Sequence, residues 1–405
     1  MKIALLHYTA PPVVGGVESV MGHQARLMAD AGHSVLIVAG RGEKTDPRID
    51  FRPLPLADSR HPEVLSIKAG LDVGSIPESF PGLVSELEVA MENILAVCDF
   101  IVAHNVCSLH KNLALTAALW QLVKHRRAPR AILWHHDLAW TTPRYRAELH
   151  PGYPWDLLRG DWPEAIQVVV SRLRQQELSQ LLGVPLDRIR VVPNGLDLQR
   201  FLNLADQTMD LVKRLDLLAA SPILLLPVRI TPRKNIELAL QTLAALRAQL
   251  PEAALVVTGP LGPHNPANAD YFRRLVDLRQ ELGVEDSAHF LAELVAGYLP
   301  DYVVGDLYRL ADALLLPSFE EGFGIPLLEA GLAGLPIFCT DIPPLRELGG
   351  SMVHYFSPQA NAREVARLIA SHLSPDPVYQ MRVQVRQEYT WGQIYLRHIE
   401  PLFGL

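Results

Sequence analysis

The chain opens with Ile3-Ala-Leu-Leu-His-Tyr8, a short apolar run that is typical of a buried strand. An amphipathic stretch from Val17 to Ala31 predicts a helix, and Val35-Leu-Ile-Val-Ala39 predicts the next strand. A strand, a helix and a second strand in this order form a βαβ unit, the building block of a parallel sheet. These residues therefore predict an α/β fold with a doubly wound parallel sheet.

The same alternation continues to about residue 200 and then begins again. In the first half, the apolar and amphipathic runs predict four more strands and a helix: Phe100–His104, Ala131–Trp134, Gln167–Val170, Arg190–Val192 and the helix Leu109–Lys124. After a polar stretch from Asp197 to Leu217, the second half predicts the strands Ile223–Leu226, Ala254–Val257, His289–Leu291, Ala313–Leu316 and Pro336–Cys339, with helices at Asn235–Leu250, Asp270–Leu282, Asp306–Ala311 and Ile325–Ala333. A chain of 405 residues exceeds what one core normally serves, so we predict two domains, 1–200 and 201–388.

Charge and composition exclude several classes of function. Residues 1–200 carry 21 basic and 21 acidic side chains, and the rest of the chain carries 16 and 23, which disfavours nucleic acid as a partner. The three cysteines form no CxxC pair, which fits a reducing compartment without structural zinc. No apolar run is long enough for a membrane span or a signal peptide, so we expect a cytoplasmic protein.

One basic stretch, Lys124 to Arg130, interrupts this balance. We interpret it as a solvated helix end. The alternative is a patch for anionic lipid, which would imply peripheral membrane contact, or for an anionic acceptor.

Two loops that follow predicted strands could bind phosphate. Gly15 and Gly16 precede a helix, where backbone N–H groups can approach an anion, although they could equally form a tight turn. In Leu226-Pro-Val-Arg-Ile-Thr-Pro-Arg-Lys-Asn235, Arg229 and Lys234 flank a helix start. Cations are unfavourable there unless an anion such as pyrophosphate offsets them, and the alternative is simple solvation at the surface.

The segment Pro317-Ser-Phe-Glu-Glu-Gly-Phe-Gly-Ile-Pro-Leu-Leu-Glu-Ala330 places two carboxylates, Glu321 and Glu329, on either side of a glycine-rich loop. Pro326 indicates a helix start between them. Their spacing is too wide and too uncertain for a glycosidase acid/base pair, so two separate hydroxyl-binding roles suit it better.

With these residues, the chain resembles the retaining GT-B glycosyltransferases, especially glycosyltransferase family 4, in which two glutamates are separated by seven residues. Further matches, in family order, are Gly15-Gly16-Val17-Glu18, Val192-Pro-Asn-Gly-Leu-Asp197, Arg229 with Lys234, and Leu307-Tyr-Arg-Leu-Ala-Asp-Ala313 before Pro317-Ser318. The resemblance implies an enzyme of carbohydrate biosynthesis with two Rossmann-like domains facing a central cleft. It also implies that a C-terminal helix within residues 389–405, here Thr390 to Leu402, crosses back to the first domain.

The resemblance also implies roles for single residues. It assigns Gly15 and Gly16 to the donor phosphate and Arg229 with Lys234 to the donor pyrophosphate. Glu329 would accept the ribose hydroxyls. Glu321 would hold a donor-sugar hydroxyl, beside the backbone of Gly322, Phe323 and Gly324.

Histidines after strands complete the predicted site. The resemblance implies a histidine near the donor sugar, for which we prefer His136 over His135 in Trp134-His-His-Asp-Leu138. His104 and Asn105 are candidates to face the acceptor, with a structural role equally open. We predict as catalytic His136, Arg229, Lys234 and Glu321.

No Asp-x-Asp and no metal-ligand spacing occurs in the sequence, so we predict no essential metal and no cofactor. The predicted function is retaining transfer of a hexosyl group from a UDP- or GDP-sugar to an acceptor hydroxyl of a sugar, small solute or glycan. The alternatives are a GT-B sugar phosphorylase, a sugar-nucleotide epimerase and a non-catalytic nucleotide-sugar sensor.

We expect the loops Gly259–Asn268 and Phe290–Ala296 to border the donor base. Acceptor specificity is expected from Ala57–Leu83 and Leu138–Asp161, which we predict to be loop-rich.

Overall fold

A computed structural model describes residues 1–162, 164–261, 267–295 and 297–404. By its internal contacts the chain divides into two compact units. The first comprises Met1–Gly195 and Trp391–Leu405, and the second comprises Leu196–Thr390. These division points lie close to the predicted boundaries at 200 and 388.

The first unit is built on a seven-stranded parallel sheet with the strand order β3-β2-β1-β4-β5-β6-β7. Its strands are β1 (Lys2–Thr9), β2 (Ser34–Arg41), β3 (Ile49–Pro53), β4 (Phe100–His104), β5 (Arg130–His135), β6 (Ile166–Val169) and β7 (Ile189–Val191). Its helices are α1 (Gly16–Asp30), α2 (Pro62–Asp72), α3 (Phe80–Leu95), α4 (Leu113–Lys124) and α5 (Arg172–Leu182). The order reverses at β1, the topology of a doubly wound sheet.

Alternate residues of β1 reach two different hydrophobic clusters. Ala4 and Leu6 pack in a cluster that includes residues of α3 and α4, whereas Ile3 and Leu5 pack in a cluster that includes residues of α1. Successive side chains of a strand point to opposite faces, so both faces of this sheet are covered. This double covering explains why β1 has an unbroken apolar sequence.

The second unit repeats this architecture with a six-stranded parallel sheet in the order β10-β9-β8-β11-β12-β13. Its strands are β8 (Ile223–Leu226), β9 (Ala254–Val257), β10 (Ala288–Phe290), β11 (Ala313–Leu316), β12 (Ile337–Thr340) and β13 (His354–Phe356). Its helices are α6 (Leu198–Leu202), α7 (Asp206–Arg214), α8 (Ile236–Arg247), α9 (Ala267–Glu281), α10 (Asp301–Leu310), α11 (Ile325–Leu332), α12 (Pro343–Gly349), α13 (Ala362–Leu373) and α14 (Pro377–Glu388). The predicted α/β fold class with two doubly wound parallel sheets is confirmed.

A buried ion pair ties α14 to the second sheet. Arg386 donates to both carboxylate oxygens of Asp312, at 3.1 and 2.7 Å. Asp312 also accepts the backbone N–H of Ile223 at 2.8 Å, and it is 3% exposed. Because Asp312 directly precedes β11 and Ile223 begins β8, this carboxylate links two strands and a helix.

The C-terminal residues belong to the first unit and not to the second, which they follow in sequence. A short helix α15 (Trp391–Ile394) continues as a π-helical turn (Tyr395–Ile399) and a 3-10 turn (Glu400–Phe403). Trp391, Tyr395 and Phe403 pack in the same hydrophobic cluster as α1. No helix in the described part of the chain is long and apolar enough to cross a membrane.

The structure corrects one of the sequence expectations. The stretch Ala57–Leu83, predicted to be loop-rich, contains all of α2 and the start of α3. Only the second expected acceptor stretch, Leu138–Asp161, lacks α-helix and strand; it forms the 3-10 turns Ala139–Thr141, Pro143–Glu148 and Trp155–Leu158.

Candidate active site

The first group of predicted site residues follows β8 in the second unit. The chain leaves the strand at Leu226 and makes a 3-10 turn at Pro232–Lys234, and α8 begins at Ile236. Asn235 joins the turn to the helix with φ of 50°, in the left-handed region that asparagine tolerates better than most residues. This turn brings Lys234 to the carboxyl end of the sheet, where parallel α/β sheets bind ligands.

A glycine in the loop after the neighbouring strand β9 allows this loop to lie close to the sheet edge. A Cβ atom on Gly259 would be 1.9 Å from the carbonyl oxygen of Val228, so only glycine fits there. The backbone N–H of Ile230 donates to the carbonyl of Pro260 at 3.1 Å. The loops after β8 and β9 therefore support each other. The predicted base-flanking loops, Gly259–Asn268 and Phe290–Ala296, lie partly outside the described residues.

Lys234 and Glu321 form an ion pair across the ends of the adjacent strands β8 and β11. The Nζ atom of Lys234 lies 2.6 Å from Oε1 of Glu321, and Ser318 Oγ donates to the same oxygen at 2.7 Å. The two side chains are 9% and 7% exposed, so the pair is largely shielded from water. Both bonds converge on Oε1, which leaves Oε2 of Glu321 able to accept a further hydrogen bond.

The glycine-rich loop after Glu321 is shaped by one glycine in particular. Gly324 has φ of 107°, and a Cβ atom there would lie 2.7 Å from a methyl group of Leu345. At Gly322, by contrast, a Cβ atom would meet nothing within 4 Å, and the Phe323 side chain is 55% exposed. The loop thus presents open backbone and an exposed ring to solvent immediately before α11.

Glu329 lies on α11, in different surroundings from Glu321. Its Oε2 atom accepts a hydrogen bond from the Tyr308 hydroxyl at 2.7 Å. Burial, together with the hydrogen bond to this carboxylate, raises the pKa of Tyr308 well above its ordinary value. Glu329 is exposed and lines a cavity of about 560 Å³ with Tyr308 and Arg309. The two glutamates therefore occupy separate environments.

Arg229 does not join the Lys234–Glu321 pair. Its guanidinium lies over the ring of Tyr298, 5.8 Å from the ring centroid. A cation above an aromatic face is weakly attracted to it. Within the described residues, the structure thus brings Lys234 and Glu321 together, while it shows no contact of Arg229 with either.

In the first unit, the predicted glycines begin α1. A Cβ atom on Gly15 would lie 2.1 Å from Oε2 of Glu18, because the Glu18 side chain folds back over the helix start and accepts the hydroxyl of Thr9. A Cβ atom on Gly16 would meet nothing within 4 Å. Packing within the chain therefore accounts for Gly15, whereas the space beside Gly16 is open.

Three histidines from adjacent strands make a contact chain at the carboxyl edge of the first sheet. His7 Nδ1 donates to the carbonyl of His104 at 2.7 Å, and His104 Nδ1 lies 3.1 Å from Nε2 of His136. Burial is the main cause that lowers the pKa of His7 to about 4, of His136 to about 3, and of His104 well below its ordinary value. All three rings are therefore neutral at pH 7, and each offers one ring nitrogen as a hydrogen-bond donor and the other as an acceptor.

Asn105 shapes the loop that carries His136. Its backbone has φ of 57°, and its Oδ1 atom accepts the backbone N–H groups of His136 at 2.8 Å and Asp137 at 3.2 Å. His135 lies apart from the chain of histidines. It is 3% exposed, and its Nε2 donates to Oε1 of Gln167 at 2.8 Å. Asn105 thus orients His136, while His135 contacts the neighbouring strand β6.

Three residues of these clusters were not predicted from the sequence. His7 lies near the end of β1, so the strand-end argument that selected His104 could have found it. Ser318 also follows a strand, β11, and contacts Glu321 three residues later in the same loop, so the same argument could have found it. Tyr308 gave no such signal, because its contact with Glu329 joins two separate helices, α10 and α11.

Among the described residues, one group of potential metal ligands occurs, Asp72, His110 and Glu148. The ammonium group of Lys68 donates to both carboxylates, at 2.6 and 3.1 Å. One unit of their negative charge is therefore already compensated by a cation of the chain.

Comparisons with known proteins identify the family. Residues 14–200 match the family model Glycosyltransferase Family 4, and residues 212–388 match the model Glycosyl transferases group 1. The chain is 25% identical over 373 residues to a mannosylglucosylglycerate synthase from Petrotoga mobilis, covering 85% of this chain and 83% of the relative. It is 27% identical over 374 residues to a D-inositol 3-phosphate glycosyltransferase from Thermobispora bispora, covering 88% and 82%.

Among solved structures, a sucrose-phosphate synthase from Thermosynechococcus elongatus aligns with 21% identity and a TM-score of 0.39, covering 100% of this chain and 98% of the other. The two family models match successive parts of the chain, with only residues 201–211 between them, and together they cover most of both units. The chain therefore belongs to the family 4, or group 1, glycosyltransferases.

Proposed function

We propose that this glycosyltransferase moves a hexosyl group from a nucleoside-diphosphate sugar, a UDP- or GDP-sugar, to an acceptor hydroxyl with retention of the anomeric configuration. The second unit binds the donor and the first unit binds the acceptor. The observation that carries the proposal is the buried Lys234–Glu321 pair at the carboxyl ends of β8 and β11. It combines a cation for phosphate with a carboxylate that has one oxygen left for a sugar hydroxyl.

The other residues of the second unit fit the same donor. The carboxylate of Glu329 is exposed, as a group that accepts two ribose hydroxyls must be. Arg229 is held only by the Tyr298 ring in the described structure, so its guanidinium can turn to a diphosphate at little cost. In this proposal Arg229, Lys234 and helix N-termini compensate the growing charge on the leaving diphosphate, and no metal is essential.

The chemistry we propose is front-face substitution. No carboxylate is assigned as a covalent nucleophile, so the departing phosphate helps to deprotonate the acceptor hydroxyl. The relatives are named for a glycerate derivative and for D-inositol 3-phosphate. These names support a small hydroxylated acceptor over a polymer.

The test begins with thermal unfolding in UDP-glucose, GDP-mannose and related donors. A donor at 100 times its dissociation constant adds about 2.7 kcal/mol of stability. NMR of the product then reports the anomeric configuration, and inversion would contradict the proposal. Turnover that requires inorganic phosphate would indicate a phosphorylase. Conversion of the donor in the absence of an acceptor would indicate an epimerase. Donor binding without any single turnover would indicate a non-catalytic sensor.

A further inference from the structure

The first unit contains a polar cavity of about 400 Å³ at the carboxyl edge of its sheet. Its walls come from the end of β1 and the loop and helix start that follow it, the last residue of β2, the turn after the 3-10 helix Pro55–Ala57, and the segment after β4. Three of its lining side chains, Arg41, Arg60 and Lys111, are cationic, and one, Glu18, is a carboxylate. The cavity is large enough for a sugar or polyol with one charged substituent.

The cations of this cavity are incompletely neutralised. Arg41 donates through Nε to Asp58 at 2.5 Å, which leaves its terminal nitrogens able to donate elsewhere. Arg60 and Lys111 are exposed, and their side chains have no ionic partner within the described residues. Glu18 is already engaged, because it accepts the Thr9 hydroxyl and folds over Gly15. The cavity thus retains donors that an anion would satisfy.

The backbone holds two of these cations in place. Asp58 is 6% exposed, and its Oδ1 atom accepts the backbone N–H of Arg60 at 2.9 Å while its Oδ2 atom accepts Arg41. A Cβ atom on Gly40, at the end of β2, would lie 2.1 Å from the backbone nitrogen of Asp58. Glycine is therefore required for the Asp58 turn to lie against β2, and this contact brings the two arginines to one wall.

We propose that Arg41, Arg60 and Lys111 bind the anionic group, a carboxylate or a phosphomonoester, of a small acceptor, so that the enzyme glycosylates an acidic polyol or sugar. This inference rests on the proposed function of the first unit as the acceptor-binding unit. Arginine grips carboxylate and phosphate through two parallel donors, and lysine adds a point charge. A neutral acceptor would leave these cations unpaired.

The test compares acceptors with and without one anionic group: glycerol with glycerate, and glucose with glucose 6-phosphate, using the donor identified by thermal unfolding. We expect kcat/KM to be at least tenfold higher for an acidic member, and the better pair distinguishes carboxylate from phosphate. Arg60→Gln and Lys111→Gln should each raise KM for that acceptor about tenfold or more without changing donor affinity. Arg190→Gln is the control, since Arg190 is exposed on the edge strand β7, four strands and about 19 Å from β1.

A second arm does not depend on turnover. Calorimetric titration of the donor-free protein with inorganic phosphate and with glycerate should detect binding that Arg60→Gln and Lys111→Gln weaken and Arg190→Gln does not. Equal use of neutral and acidic acceptors, or no difference among the variants in either arm, overturns the inference. A loss confined to donor affinity also overturns it, because the cations would then serve the donor diphosphate. Failure of every donor to bind would instead contradict the proposed function, and the titration would still decide whether the cavity binds anions.

Discussion

The pairing of Lys234 with Glu321 leads to a prediction about stability and turnover together. Replacing Lys234 with methionine removes the ammonium group and leaves the Glu321 carboxylate, 7% exposed, with Ser318 as its remaining donor. Lys234 Nζ and Glu321 Oε1 are 2.6 Å apart, and at an effective dielectric constant of about 20 their charges attract each other by about 6 kcal/mol. The free energy spent on removing both charges from water offsets much of this attraction. Breaking such a buried pair typically costs about 3–5 kcal/mol.

A double-mutant cycle measures this coupling directly. Glu321→Gln keeps an acceptor for Lys234, so we expect a smaller loss of about 1.5–3 kcal/mol. The double variant buries no unpaired charge, and its loss should fall short of the sum of the two single losses by about 2 kcal/mol. Urea unfolding of the whole protein gives the loss in free energy of unfolding for each of the three variants. Lys213→Met is the control, because Lys213 is an exposed lysine of the second unit. Additivity within about 0.5 kcal/mol would refute the pairing.

The same variants separate folding from catalysis. If Lys234 stabilises the leaving diphosphate, its loss should lower kcat by about 10² to 10³-fold at saturating donor, with a smaller effect on donor dissociation. The double variant recovers part of the stability but should recover none of the turnover. A double variant with near-normal kcat would show that the two residues form only a structural pair.

Four further outcomes are expected. Activity should survive EDTA, and loss restored by magnesium or manganese would contradict the absence of an essential metal. Glu329→Gln should weaken donor binding by about 1.5–3 kcal/mol in calorimetry, with acceptor affinity unchanged. Arg386→Met should cost up to about 3–5 kcal/mol in urea unfolding, because it leaves the buried Asp312 with only the more distant Arg382, at 3.7 Å, as a cation; a cost below about 1 kcal/mol would argue against that role. Burial lowers the pKa of His135 to about 4 in the folded protein. On acidification, this histidine therefore becomes protonated in the unfolded chain at a higher pH than in the folded protein, which favours unfolding. Stability should therefore fall between pH 6.5 and about 4, by up to about 1.4 kcal/mol per pH unit for this histidine, and His135→Gln should reduce the slope by that amount while His7, His104 and His136 maintain the rest.

The fold was predictable because the central strands are covered on both faces. Such strands need continuous apolar residues, and Phe100–His104, Ile223–Leu226, Ala254–Val257 and Ala313–Leu316 agree with the observed bounds. The edge strands β7 and β10 were predicted, whereas β3, Ile-Asp-Phe-Arg-Pro, and β13, His-Tyr-Phe, escaped prediction because polar or charged residues dilute their apolar signal. Helices α2 and α3 were missed because the Pro- and Gly-containing sequence between residues 57 and 83 suggested loops.

The amino-acid sequence by itself determined the α/β class, the restart of the pattern near residue 200, and the strand-end positions of Lys234, Glu321 and the histidines, because periodicity and strand ends are local properties. Only the tertiary structure decided which of these side chains meet. Lys234 and Glu321 are 87 residues apart in sequence, yet β8 and β11 are neighbours because the strand order reverses at β8. His7 contacts His104 because the strand order of the first sheet reverses at β1 in the same way. Asp58 accepts hydrogen bonds from both Arg41 and Arg60, and it can do so because Gly40 leaves room for the Asp58 backbone. Contacts of this kind depend on strand order and backbone clearance, which no local pattern of residues encodes.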